Sequence, residues 1–140
     1  MEANERIKME KHEPKFIYSE LSYQLMGILF KVHRHLGSSY QEKYYQRAVA
    51  LALDEAKIPH QQEVMIKLAY NNQDIGKYFL DFVIDNKIAL EIKAVPLVKK
   101  EYYQQVLAYL DAANLKLGII ANFRTSRLTY KRLVNPRVKL

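Results

Sequence analysis

Asp81, Glu91 and Lys93 fall within thirteen residues of one another and share a possible chemistry. Two carboxylates can hold a hard divalent cation such as magnesium, which takes oxygen ligands and keeps several waters. The ion lowers the pKa of a water and offsets charge on a phosphate, while a nearby ammonium positions that water or stabilises the transition state. The same three side chains also suit a plain cross-strand ion pair on a solvated face. Taken alone, the triad leaves both readings open.

The elements around the triad decide whether its members meet. Tyr78 to Ala94, YFLDFVIDNKIALEIKA, reads as two strands and a tight loop. Leu80, Phe82 and Ile84 alternate on the first strand and Ile88, Leu90 and Ile92 on the second, so each set shares a face. Matching the apolar faces sets Ile84 opposite Ile88, Phe82 opposite Leu90 and Leu80 opposite Ile92. This register needs the odd-length loop Asp85-Asn86-Lys87, and it puts Asp81 opposite Glu91 with Lys93 beside them.

The 140-residue length predicts one domain with room for a core. Residues 1–16 read as a flexible leader, 17–134 as the domain and 135–140 as a basic tail. There is no cysteine, which excludes disulfides, thiolate nucleophiles and cysteine-ligated metals. The sequence contains no run of transmembrane length and no apolar signal core at its start, so the expectation is a cytoplasmic protein without a membrane partner. Its net charge of +7 is matched by seven bases after Asp111, a stretch with no acid. Such a region suits a phosphate backbone and equally a solubilising surface.

Helical spacing of Leu21, Leu25, Ile28, Val32 and Leu36 predicts a helix from Tyr18 to Leu36, ended by Gly37. His33 and His35 lie near its end, where a histidine commonly meets the helix dipole or a last-turn carbonyl. Ser39-x-x-Glu42 has the form of a capping box opening a second helix to about Lys57, with Tyr45, Val49, Ala52 and Ala56 inward. Glu42 lies on that inward stripe, so it reads as a cap that also points towards the core, where a carboxylate needs a partner. Val64 to Tyr70 alternates as a strand, about Lys99 to Asn114 as a third helix, and Leu117 to Asn122 as a buried strand. Leu128 to Val134 would add an edge strand. Gln105 and Tyr109 are neighbours on the third helix. The order ααβββαβ predicts an α/β domain whose mixed sheet is flanked by helices.

Asp81 followed by Glu91-Ile92-Lys93 is similar to the D…(D/E)xK signature of the PD-(D/E)XK nuclease superfamily, and Gln105-x-x-x-Tyr109 looks like its QxxxY element. More closely, the chain resembles the GxxExxY family. The matching residues are Val32-His33-x-x-Leu36-Gly37, Glu42-x-x-Tyr45, Asp81, Glu91-x-Lys93, Gln105-x-x-x-Tyr109-Leu110 and Gly118-Ile119-Ile120-Ala121-Asn122-Phe123. Motifs in this order over residues 18 to 134 are more specific than any one of them. Ser39 stands where that family usually has a second glycine.

The resemblance implies a restriction-endonuclease-like core and a metal-dependent nuclease using Mg2+, with Mn2+ able to substitute. It implies Asp81 and Glu91 as metal ligands, Glu42 as a third acid acting directly or through water, and Lys93 as the residue handling the attacking water. Gln105 and Tyr109 would line the site. The implied partner is nucleic acid, DNA before RNA, and a homodimer is compatible with the eleven tyrosines. The alternative is a nucleic-acid-binding or complex-forming module on the same fold without useful turnover.

Overall fold

The computed structural model describes residues 17–140, so the expected leader over residues 1–16 lies outside the described residues. Among the described residues two helices come first, α1 (Ser19–Leu36) and α2 (Glu42–Glu55). Strands β1 (His60–Tyr70), β2 (Gln73–Ile84) and β3 (Ile88–Lys93) follow, then α3 (Lys100–Ala112), β4 (Leu117–Asn122) and β5 (Thr129–Val134). They form one sheet in the order β1-β2-β3-β4-β5. Only β3 and β4 are parallel, joined through α3; the other neighbours are antiparallel. This is the expected mixed α/β sheet flanked by helices.

Each face of the sheet has its own core. Leu25, Leu29, Tyr45, Val49 and Leu53 of α1 and α2 pack with Phe82, Ile84, Ile88, Leu90 and Ile92. Val106 and Leu110 of α3 pack with Leu80, Val83, Ala89 and Ile120 on the other. Gly118 permits a close approach there, because a Cβ at that position would come within 3.0 Å of Leu110 Cδ1. Gly37 ends α1 at φ 79°, its N–H donating to His33 O at 2.7 Å, as a C-terminal glycine does. No helix among the described residues is long and apolar enough to cross a membrane.

The capping box does not form. The cap of α2 is Gln41, without a side-chain hydrogen bond, and Glu42 is the first helical residue. Tyr45 organises this turn: its hydroxyl donates to Gly37 O at 2.5 Å and accepts from Tyr40 N–H at 3.2 Å. Glu42 is thereby released from the structural role its spacing suggested. The inward stripe of α2 also turns slightly, burying Ala50 and Leu53 and leaving Ala56 exposed. β1 starts four residues before Val64, because backbone pairing along β2 recruits polar residues to an edge strand.

The central hairpin follows the expected register only in part. Ile84 pairs with Ile88 and Phe82 with Leu90 around the three-residue loop, in which Asp85 and Asn86 take left-handed φ values of 49° and 57°. The pairing of Leu80 with Ile92 does not form, and Leu80 packs on the α3 side instead of beside Phe82. The cause lies at Asp81. On its other flank the ladder passes from Gln62–Phe82 to Val64–Leu80, omitting Glu63, whose φ is 51°. A non-glycine residue there marks local strain, and the irregularity shifts the alternation of β2 by one residue.

Candidate active site

The break in the ladder brings Asp81 and Glu91 together. Asp81 N–H donates to Glu91 Oε1 at 3.1 Å, and Ile92 N–H donates to Asp81 Oδ2 at 2.8 Å. The two carboxylates thus occupy places that cross-strand backbone bonds would otherwise fill. Glu91 is only 3% exposed, and its other oxygen, Oε2, accepts from the hydroxyls of Tyr102 at 2.8 Å and Tyr78 at 3.0 Å. Burial keeps both hydroxyls protonated, raising their pKa well above the ordinary tyrosine value, so they remain donors.

Burial is also the main cause of an upward shift in both acids. It pushes Asp81 up to about 7, helped by the charges of Glu91, Glu42 and Glu63 and opposed by Ile92 N–H. Glu91 is raised by burial and held back by Tyr102, Asp81 N–H, Tyr78 and Lys93. Two desolvated carboxylates near enough to feel each other's charge disfavour double ionisation unless a cation joins them.

The charge of Lys93 is felt by Glu91, but its ammonium joins neither acid directly. Its Nζ lies 4.1 Å from the centre of the Tyr102 ring, and it forms no ion pair among the described residues. The end of β3 carrying Lys93 is fixed by Asn122, its partner on β4. Asn122 Nδ2 donates to Val95 O at 2.8 Å and its Oδ1 accepts from Val95 N–H at 3.1 Å, while Phe123 N–H donates to Lys93 O at 2.8 Å.

The remaining sequence candidates are placed unequally. Glu42 is half-buried at the start of α2, and Asp81 feels its charge. Among the described residues, however, no group of three or more His, Cys, Asp or Glu side chains is arranged to hold a metal ion. Tyr109 stacks on Tyr78 with ring centres 3.7 Å apart and so reaches the site through that ring. Gln105 is exposed and its side chain makes no hydrogen bond among the described residues. His33 is buried against Phe123, its Nε2 donating to Thr125 O at 2.9 Å in the loop after β4.

Sequence reasoning missed Tyr78, Tyr102 and Glu63. Tyr102 carried a usable signal, because it lies four residues before Val106 and seven before Tyr109, on the same helix face. Tyr78 carried none, since strict alternation puts it on the face away from Asp81. Tyr102→Phe keeps the ring under Lys93 and removes one of the three donors to Glu91. It is expected to destabilise the fold by about 1–2 kcal/mol, measured by urea denaturation.

The donor set fits a hard divalent ion by lone-pair count. Glu91 Oε2 is filled by two hydroxyls, Oε1 accepts once, and Asp81 Oδ1 accepts no hydrogen bond from the described residues. Magnesium is commonly held by one or two carboxylates, with waters and substrate oxygens completing its shell. The family model of the PD-(D/E)XK nuclease superfamily matches residues 19–133, most of the chain. The chain belongs to this superfamily. The order of its elements is that of the superfamily's restriction-endonuclease-like fold, and its members typically use divalent metals. Neither a curated protein nor a solved structure matches the chain.

Proposed function

We propose that this PD-(D/E)XK protein is a metal-dependent nuclease that hydrolyses phosphodiester bonds of nucleic acid, with Asp81 and Glu91 as the metal ligands. The observation that carries this reading is a pair of desolvated carboxylates with a lysine beside them that pairs with neither. A structural ion pair would have spent Lys93 on the acids. When bound there, Mg2+ or Mn2+ supplies Lewis acidity towards a phosphate oxygen and a water. Glu91 is held by three donors, so its remaining lone pair has a fixed direction. Asp81 is held by one, so Oδ1 is the free acceptor that would hold the ion. Lys93, resting on Tyr102, orients the attacking water by hydrogen bonding and offsets charge as the phosphorane develops. Glu42 acts through water, consistent with its lying outside a three-carboxylate cluster. Gln105 and Tyr109 line the approach from α3. DNA is the preferred substrate over RNA, and the GxxExxY family is the closer affiliation.

A second reading, a nucleic-acid-binding module without turnover, is favoured by the lack of a third converging carboxylate among the described residues. Calorimetric titration with Mn2+ separates the two. Wild type is expected to bind Mn2+, and Asp81→Asn to bind at least about 10-fold more weakly. Cleavage of labelled DNA by the same samples should follow the same order. No Mn2+ binding by wild type, with or without nucleic acid, would select the module.

A further inference from the structure

Away from the carboxylates, a groove of about 670 Å3 runs between α1 and the edge strand β5. Its α1 wall places Tyr23, Phe30 and Arg34 on one helical stripe, and its β5 wall supplies Tyr130 and Arg132. The two β5 residues pair with Ala121 and Ile119, which belong to the core under α1 and α2, so the groove lies on the face opposite Glu91 and α3. A second depression shares Phe30 and Arg34 and continues to Gly37, Ser38 and Arg127. It ends at the loop following β4, whose last residue, Asn122, pairs with Lys93. The groove and the carboxylate site therefore approach the same end of the sheet.

Its chemistry is uneven in a telling way. Tyr23 is 82% exposed, Tyr130 48% and Phe30 40%, and Phe30 and Tyr130 meet edge to face at 6.0 Å. Among the described residues, no carboxylate lines either depression. Arg34 and Arg127 form no ion pair among the described residues, and Arg132 adds a third guanidinium, its Nη2 donating to Ile17 O at 3.1 Å. On the floor, the buried hydroxyl of Ser22 has no hydrogen-bond partner among the described residues. Exposed rings with cations between them suit unstacked bases on a phosphate chain. Residues 1–16 hold four acids and four bases and lack the complementary charge. A peptide added to the β5 edge would use its backbone and leave the rings and arginines unexplained.

We propose that this groove binds single-stranded nucleic acid, with Phe30, Tyr130 and Tyr23 as stacking platforms and Arg34 and Arg127 as phosphate contacts. The proposal deepens the nuclease reading and rests on it, for the groove would hold the strand that leads to the carboxylates. Duplex DNA buries its base faces and cannot use the rings.

The test is fluorescence anisotropy of a labelled oligothymidylate in EDTA, where no cleavage occurs, against a labelled duplex of equal length. Phe30→Ala with Tyr130→Ala is expected to weaken single-strand binding by about 10- to 100-fold, the scale of one to two lost stacking contacts, and duplex binding by less than about 3-fold. Arg34→Glu should weaken binding and reduce the salt slope by about one unit or more. All three residues are exposed, so unchanged circular dichroism checks the fold. Oligothymidylate binding equal to wild type in both variants overturns the groove while leaving the nuclease reading intact. Equal losses for single strand and duplex also overturn the stacking assignment. Failure of wild type to bind either nucleic acid overturns both.

Discussion

Lys93→Ala is expected to lower metal-dependent cleavage by at least about 100-fold, the usual scale for removing a group that acts on charge developed in the transition state. Nucleic-acid affinity should change by less than about 3-fold, since one phosphate contact at most is lost. The structure makes this a clean experiment. Lys93 is half-buried, forms no ion pair among the described residues and contributes a cation–π contact with Tyr102, worth about 1 kcal/mol at such a site. The fold should therefore survive, and Lys93→Met, which keeps the aliphatic stem, should be as inactive and still more stable. Single-turnover cleavage with saturating Mn2+ is the measurement. Retention of wild-type rate in both variants would remove Lys93 from the mechanism, and unfolding of both would make it structural.

Asp81→Asn is expected to stabilise the metal-free protein at pH 8. The Asp81 carboxyl rises from 3.8 to about 7, chiefly through burial and then through the charge of Glu91. Between those values the folded protein holds a proton that the unfolded chain has released. The corresponding stability is present below about pH 4 and is lost as pH rises through 7. At pH 8 the ionised pair costs the fold on the order of 3 kcal/mol. Asparagine is nearly isosteric, carries no charge and can still accept from Ile92 N–H. In EDTA at pH 8 the variant should melt roughly 5–10 °C above wild type, and at pH 4 the two should nearly coincide. Adding Mn2+ should reverse the order, because the ion stabilises only the state that binds it. An asparagine variant less stable than wild type in EDTA at pH 8 would mean that another group neutralises the acids. Glu63 and Glu42, whose charges also bear on Asp81, should show the same sign with smaller effects.

The sequence by itself determined which residues could form the sheet and in what order. A period-two run at Ile88–Ile92, a nearly continuous apolar run at Leu117–Asn122 and period 3.6 in α1 and α3 are local signals that survive in the fold. Hydrophobic matching also determined the inner register of the hairpin, because a one-residue slip would have exposed Ile84, Phe82 and Leu90. That register also anticipated Asp81 near Glu91, although the ladder itself stops at Phe82–Leu90. It did not anticipate the cause of their proximity.

Only the tertiary structure decided how the two acids are held. An interrupted ladder beside Glu63 shifts the face of β2 at Asp81, and α3 then delivers Tyr102 across a crossover of the sheet. Neither event has a local sequence signature, since backbone pairing with a neighbouring strand and the docking angle of a helix are long-range properties. The same holds for Glu42, whose capping spacing was real and unused because Tyr45, anchored in the core by stacking on Phe123 at 4.6 Å, took over the turn. Periodicity can say which face a side chain should occupy while its strand stays regular. Where the strand breaks, only the packing of the rest of the chain decides.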